Sequence, residues 1–439
     1  MKNLADFSFV QVVSVLIGLL AFLFHPMQGQ FQQPTEICSM PFQPVALPLT
    51  ELGGNEYVRM DGQATGFTGG LYPNGSSTRP VQHEAAGLNL ARQIQPLVTD
   101  GRADDQNGRI LFISIGMSNT ATEFGAFIRL AEQKAELNPK VVLLNGALPN
   151  QIAERWSNPD GIAWQELDRK ITGYGFSPLQ VQVAWVKLTN TGGGDFPQKA
   201  LALQSDLQMI VQHLKAKFPN LKLVFLSSRT RSYTYWRGLS PEPLAYETGF
   251  AVKWLIEKQI QGTPQLNFDP NQGEVKTAYL SWGPYLWADG ENPREDGFTW
   301  LASDLTADCT HPSPQGAEKA AQLLWEFFST DTISRDWFLS SGAIASPIKT
   351  SDLTETPDIT PAAPSEAPEQ KKMEATSTLP AITSSLTAAP LIPQQSGEID
   401  ENPPADSFSF EMGLVLLAGL VGVSLVLGWL RSRKGKQTR

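Results

Sequence analysis

The chain has 439 residues, of which 41% are hydrophobic and 18% charged, and its formal net charge is −10. That is too long for one average domain and too apolar for a disordered polypeptide. An acidic balance argues against a nucleic-acid partner, which needs a basic face. Four histidines and two cysteines without ligand-like spacing point to no metal.

In chain order, Phe9–Phe24 is an apolar run preceded by a single Lys2. It falls short of the roughly twenty residues a span needs, so 1–29 reads as an export signal or, if uncut, a signal anchor. Residues 31–108 read as an N-terminal extension packed on the domain that follows, 109–339. That domain carries candidate strands at 109–115, 140–145, 180–187, 222–227 and 276–282. Candidate helices fall at 122–137, 197–217, 243–261 and 313–328. Continuous apolar strands separated by helices predict an α/β fold, a parallel sheet of about five strands covered on both faces. In such sheets ligands gather beyond the carboxyl ends of the strands.

From 341 to 407 the chain is rich in Pro, Ala, Ser and Thr, a composition that cannot bury enough apolar surface to fold, and it reads as a flexible tether. Residues 412–430 are uncharged and long enough to cross a bilayer as one transmembrane helix. The basic stretch 431–439 follows. Basic residues stay on the cytoplasmic side, so the expectation is a single-pass cell-membrane protein whose folded domain lies outside the cytoplasm.

Two short segments beyond the strands carry chemistry. After the first strand comes Gly116-Met117-Ser118-Asn119. Ser118 reads either as a helix cap or as a nucleophile near a helix N-terminus. After the last strand comes Asp308-Cys309-Thr310-His311-Pro312, where Asp308 is close enough in sequence to orient His311 as a general base. His25 lies by the signal, His83 in the extension and His213 on a helix, which leaves His311 as the base. Gly192-Gly193-Gly194 is followed by no Gly-Lys-Ser/Thr, so it is not a phosphate loop. Arg229, after the fourth strand, either holds an anionic substrate group or pairs with Glu242 or Glu247. Trp282, Trp287 and Trp300 read either as core or as sugar-stacking faces, with Trp287 the candidate substrate contact. Cys38 and Cys309 either form a disulfide bracing the Asp308–His311 loop or remain two separate thiols.

Together, the Gly-Met-Ser-Asn segment and the Asp-Cys-Thr-His-Pro segment resemble the SGNH (GDSL-like) hydrolase superfamily. The Ser-Asn pair is most similar to its carbohydrate-esterase branches, including sialate O-acetylesterases. The resemblance spans about 109–328. It implies a three-layer α/β/α sandwich of flavodoxin type and a Ser118–His311–Asp308 triad. It also implies an oxyanion hole from the Ser118 amide, a backbone amide after the second strand and an asparagine side chain after the third. Loop spacing puts the second donor at Asn150, with Gly146 as runner-up, and the third at Asn190. The implied activity is hydrolysis of short acyl esters, acetyl foremost, on a small molecule or glycan, and it needs no cofactor. The alternative is an SGNH-like carbohydrate-binding or cell-surface module that has lost its oxyanion hole.

Overall fold

A computed structural model describes Cys38 and residues 42–344. The signal segment 1–29, most of the tether, the span 412–430 and the basic tail all lie outside those residues. Among the described residues no helix is long and apolar enough to cross a membrane.

The first elements are a helical turn at Leu49–Leu52 and an antiparallel hairpin, β1 (Glu56–Val58) and β2 (Ala64–Thr68). Helix α1 (Val81–Ala91) follows. Then come β3 (Ile110–Gly116), α2 (Ser118–Ala131), β4 (Val141–Leu144), α3 (Ile162–Gly173) and β5 (Val181–Lys187). The chain continues through α4 (Gln198–Lys217), β6 (Leu223–Leu226), α5 (Leu244–Ile260), β7 (Tyr279–Trp282) and α6 (Pro314–Thr330). All pairings within the five-stranded sheet are parallel, in the order β4-β3-β5-β6-β7. That order reverses direction after β4, so the crevice beyond β3 and β5 is where a ligand site belongs.

Every residue of β3 and β5 is buried, as a parallel sheet covered on both faces demands. Side chains alternate between two cores. Leu111, Ile113 and Ile115 join the core under α3, α4 and α5. Ile110 and Phe112 join the one under α1, α2 and α6. This is the three-layer arrangement expected from the resemblance. The five strands lie within three residues of their expected positions. The helix expected at 122–137 is instead α2, beginning at Ser118 and ending at Ala131. Helices α1 and α3 were not foreseen. The tether was expected from 341, yet Ser341–Ile344 still forms a helical turn.

Helix α1 shows how residues before 109 enter the domain's own core. Gly87 lies so close to Ile333 and the Tyr279 ring that a Cβ there would approach both within 3 Å. His83 stacks on Tyr279 with centroids 4.3 Å apart, and its Nε2 lies 2.8 Å from the Leu280 carbonyl. Burial pulls the His83 ring down to about 4 from an ordinary 6.5. Between those values the unfolded chain binds the proton and the folded chain does not, so stability falls as pH drops from 6.5 to 4. Urea unfolding across that range should show His83→Phe losing about one proton's worth of this slope; identical slopes would contradict it.

Candidate active site

The site is built on the end of β3 and the loop that leads into α6. Met117 is extended and Ser118 is the first helical residue of α2, so Ser118 is not a capping residue. Gly116 allows this turn: a Cβ there would sit 2.2 Å from Thr120 Oγ1. Thr120 in turn donates to the Lys187 carbonyl at 2.7 Å, binding the start of α2 to the end of β5. The first amides of α2 have no carbonyl one turn earlier to bond, so positive potential gathers around Ser118.

Ser118 Oγ lies 2.6 Å from His311 Nε2, across 193 residues of chain. His311 Nδ1 is hydrogen-bonded to Asp308 Oδ2. Asp308 Oδ1 accepts from the His311 amide at 2.9 Å, the Thr310 amide at 3.1 Å and the Thr306 hydroxyl at 2.9 Å. Partial burial alone would raise the Asp308 carboxyl. The bonds from the His311 amide and ring, the Thr310 amide and the Thr306 hydroxyl outweigh it and pull the group down to about 2. An ionised Asp308 can only accept, so His311 Nδ1 donates to it, and the tautomer this selects leaves Nε2 as the acceptor for the Ser118 hydroxyl. The arrangement can therefore deprotonate Ser118 as it attacks an electrophile.

The histidine loop is fixed from several directions. Its base is closed by Ser313 N donating to the Asp304 carbonyl at 2.9 Å. Asn119 Nδ2, next to Ser118, donates to the Thr310 carbonyl at 2.9 Å. Ser232 and Thr310 hydroxyls meet at 2.8 Å, and the Tyr233 amide donates to the Cys309 carbonyl at 2.8 Å. Cys38 and Cys309 form a disulfide, which settles the alternative left open by the sequence. Cys309 holds a φ of 61°, a left-handed conformation that costs a side-chain-bearing residue energy. Asn119, Thr310 and Ser232 were not foreseen as supports; polar residues beside each motif were the available signal.

The expected oxyanion donors fare differently. Asn150 is exposed with a φ of 62°, and its amide has no hydrogen-bond partner among the described residues. Gly146 is packed into the interior, where a Cβ would sit 2.5 Å from the Ser114 carbonyl. Its smallness is explained by packing. Asn190 follows β5 at the same sheet edge. Its Oδ1 accepts from the Glu154 amide at 2.9 Å, and its Nδ2 donates to Asp206 Oδ2 at 2.5 Å. One Nδ2 hydrogen is left over.

Trp287 does not meet solvent: it is fully buried and its indole donates to Glu242 at 3.0 Å. Trp282, the last residue of β7, lies with Trp287 in the core under α3, α4 and α5, and Trp300 is buried in a small cluster with Ala288 and Leu305. Two exposed rings lie after β6, at Tyr235 and Trp236, 65% and 67% accessible, and a third, Tyr174, follows α3. Arg229 makes no ion pair with Glu242 or Glu247; Glu242 accepts from Ser232, Tyr246 and Trp287, and Glu247 Oε1 from Arg59 and Tyr57.

The site is an open rim, with the His311 and Asp308 side chains 33% and 38% exposed. A cleft of about 410 Å³ between α1 and 259–272 includes none of the three residues.

Beneath the rim lies a fully buried ion pair, Lys187 Nζ to Glu123 Oε1 and Oε2 at 2.5 and 2.6 Å. Burial pushes the Glu123 carboxyl up and the Lys187 ammonium down, and each charge opposes the shift of the other. Removing one partner strands the other. Glu123→Ala should therefore cost about 3–5 kcal/mol in urea unfolding, and the double change Glu123→Leu with Lys187→Met less. A double variant as unstable as the single one would contradict this.

No protein-family model matches the chain, and no curated protein matches it. Solved structures do. A carbohydrate esterase family 3 protein from Talaromyces cellulolyticus is 12% identical, covering 49% of this chain and 94% of its own, with TM-score 0.28. A protein from Slackia heliotrinireducens assigned as an SGNH hydrolase is 14% identical, covering 50% and 99%, with TM-score 0.28. The periplasmic domain of a Salmonella Paratyphi A lipopolysaccharide acetyltransferase is 10% identical, covering 57% and 96%, with TM-score 0.28. Likenesses this distant transfer no activity to this chain.

Proposed function

We propose that the chain is a serine ester hydrolase that removes short acyl groups, acetyl foremost, from a glycan, outside the cytoplasm and tethered by one membrane span. The observation that carries this is the 2.6 Å contact of Ser118 Oγ with His311 Nε2, backed by an ionised Asp308.

The reaction follows from those atoms. Ser118 Oγ attacks the ester carbonyl while its proton passes to His311 Nε2. Asp308 stabilises the imidazolium that forms and stays ionised throughout. The tetrahedral oxygen takes up negative charge, for which the Ser118 and Asn150 amides and the spare Nδ2 hydrogen of Asn190 are the proposed donors. His311 then returns the proton to the departing alcohol, and the acyl group remains on Ser118. Water, deprotonated by His311, releases it as a carboxylate and frees the serine.

An open rim suits a small acyl group on a bulky carrier better than a long acyl chain. Tyr235 and Trp236 offer faces on which a sugar ring can stack. A second reading, a glycan-binding module without turnover, draws on the engagement of Asn190 with Asp206.

The full-length protein should hydrolyse p-nitrophenyl acetate, and Ser118→Ala should lose roughly 10⁴-fold or more in kcat. Activity retained in Ser118→Ala would remove the serine from the chemistry. A folded parent that turns over nothing, yet binds glycans, would favour the module. Asn190→Ala should lower kcat by roughly 10²-fold or more with KM little changed. An unchanged kcat would confine Asn190 to holding the loop around Glu154.

A further inference from the structure

Around the site, buried cations are matched with carboxylates. Lys187 holds Glu123, Arg231 holds Asp289, and Arg59 holds Glu247. Arg229 breaks the pattern. It is only 6% exposed, and it makes no ion pair among the described residues. Its guanidinium has a single hydrogen bond there, from Nη1 to the Leu239 carbonyl at 3.0 Å. Nε and Nη2 have no partner, yet they are not sealed in as Arg231 Nε is, so they reach accessible space. Glu242 makes no ion pair or hydrogen bond with them; its oxygens accept from the Ser232 and Tyr246 amides and the Trp287 indole.

Arg229 is also in the right place. The segment from Arg229 to Tyr233 runs beside the histidine loop, joined to it by the Ser232–Thr310 and Tyr233–Cys309 contacts. Burial pulls the guanidinium down, while the charges of Glu242, Glu123 and Asp308 act on it in the opposite sense. Its charge is thus felt at both the nucleophile helix and the histidine loop. A desolvated cation without a counter-ion is costly to keep and strong in what it can bind.

We infer that Arg229 receives an oxyanionic group of the substrate, a carboxylate or a sulfate carried by the acylated sugar, so that the substrate is an acylated acidic glycan. The acyl part of this rests on the esterase reading; the anion part does not. Two open guanidinium nitrogens, Nε and Nη2, lie side by side on the planar fork and match the spacing of two oxygens on one oxyanion.

The test compares three probes on the full-length protein: an acetylated methyl glucoside, the matching acetylated methyl glucuronoside and the matching 6-sulfated glucoside. At least one anionic probe should exceed the neutral one by tenfold or more in kcat/KM, carried by KM. The probe that leads identifies the oxyanion. Arg229→Gln should collapse that ratio towards one, and Arg229→Lys should retain part of it. Because the readout is a ratio within one protein, a general loss of activity does not imitate the effect. If Arg229→Gln does not fold, the parent's ratio and the Arg229→Lys ratio decide. A parent ratio near one, or a ratio that survives Arg229→Gln, overturns the inference. Calorimetry with the unacylated sugars separates the two proposals. Tenfold tighter binding of glucuronoside or sulfated glucoside than of glucoside, in a parent without turnover, upholds the anion site and sinks the esterase. Turnover without charge preference does the reverse.

Discussion

A hydroxyl and an imidazole separated by 193 residues stand 2.6 Å apart, and most of the surrounding architecture serves to keep them so. The parallel sheet supplies the coarse placement, bringing the end of β3 and the loop beyond β7 to one edge. Local contacts supply the rest. Asn119, the residue after Ser118, reaches to the Thr310 carbonyl, so the two halves of the site are joined by a hydrogen bond besides the one between Ser118 and His311. The disulfide to Cys38, the Ser232 hydroxyl and the closed loop base restrain the same few residues from other sides. Such redundancy is what holding a side chain to within a fraction of an ångström requires.

Charge is distributed with the same logic. The carboxylate that must stay ionised, Asp308, sits at the rim with amide and hydroxyl donors around it. The pair that must never be hydrated, Glu123 with Lys187, lies wholly inside, where it ties α2 to the end of β5. Glu242 takes donors from three directions and fixes the loop after β6 against α5. Against this background Arg229 is a buried cation that makes no ion pair among the described residues.

Much of the fold was legible because it is written in apolar runs. Seven consecutive buried residues in β3 and in β5 can hardly be anything but central strands. Helix α1 was not legible: its apolar stripe is broken by His83 and Gly87, and both matter through contacts with β7 and the chain after α6 that no local pattern announces. That Ser118, Asp308 and His311 meet was readable from two short segments, one directly after β3 and one directly before α6. Of the two readings of the tryptophans, core is what the structure shows, and only Trp287 as a substrate contact fails, because a loop-rich stretch after β7 looks surface-like in sequence but buries that ring. Whether Arg229 pairs with a glutamate depends on where other donors point, and spacing carries none of that information. The pairing of Cys38 with Cys309, 271 residues apart, is likewise a matter of distance in space.

The most direct measurement is covalent. A fluorophosphonate reacts with a serine hydroxyl whose proton a neighbouring imidazole can take, and it needs no knowledge of the natural substrate. Incubation of the full-length protein with such a reagent, followed by peptide mass spectrometry, should find one adduct per chain, on Ser118. No adduct on the folded protein, or an adduct on another serine, would contradict the account.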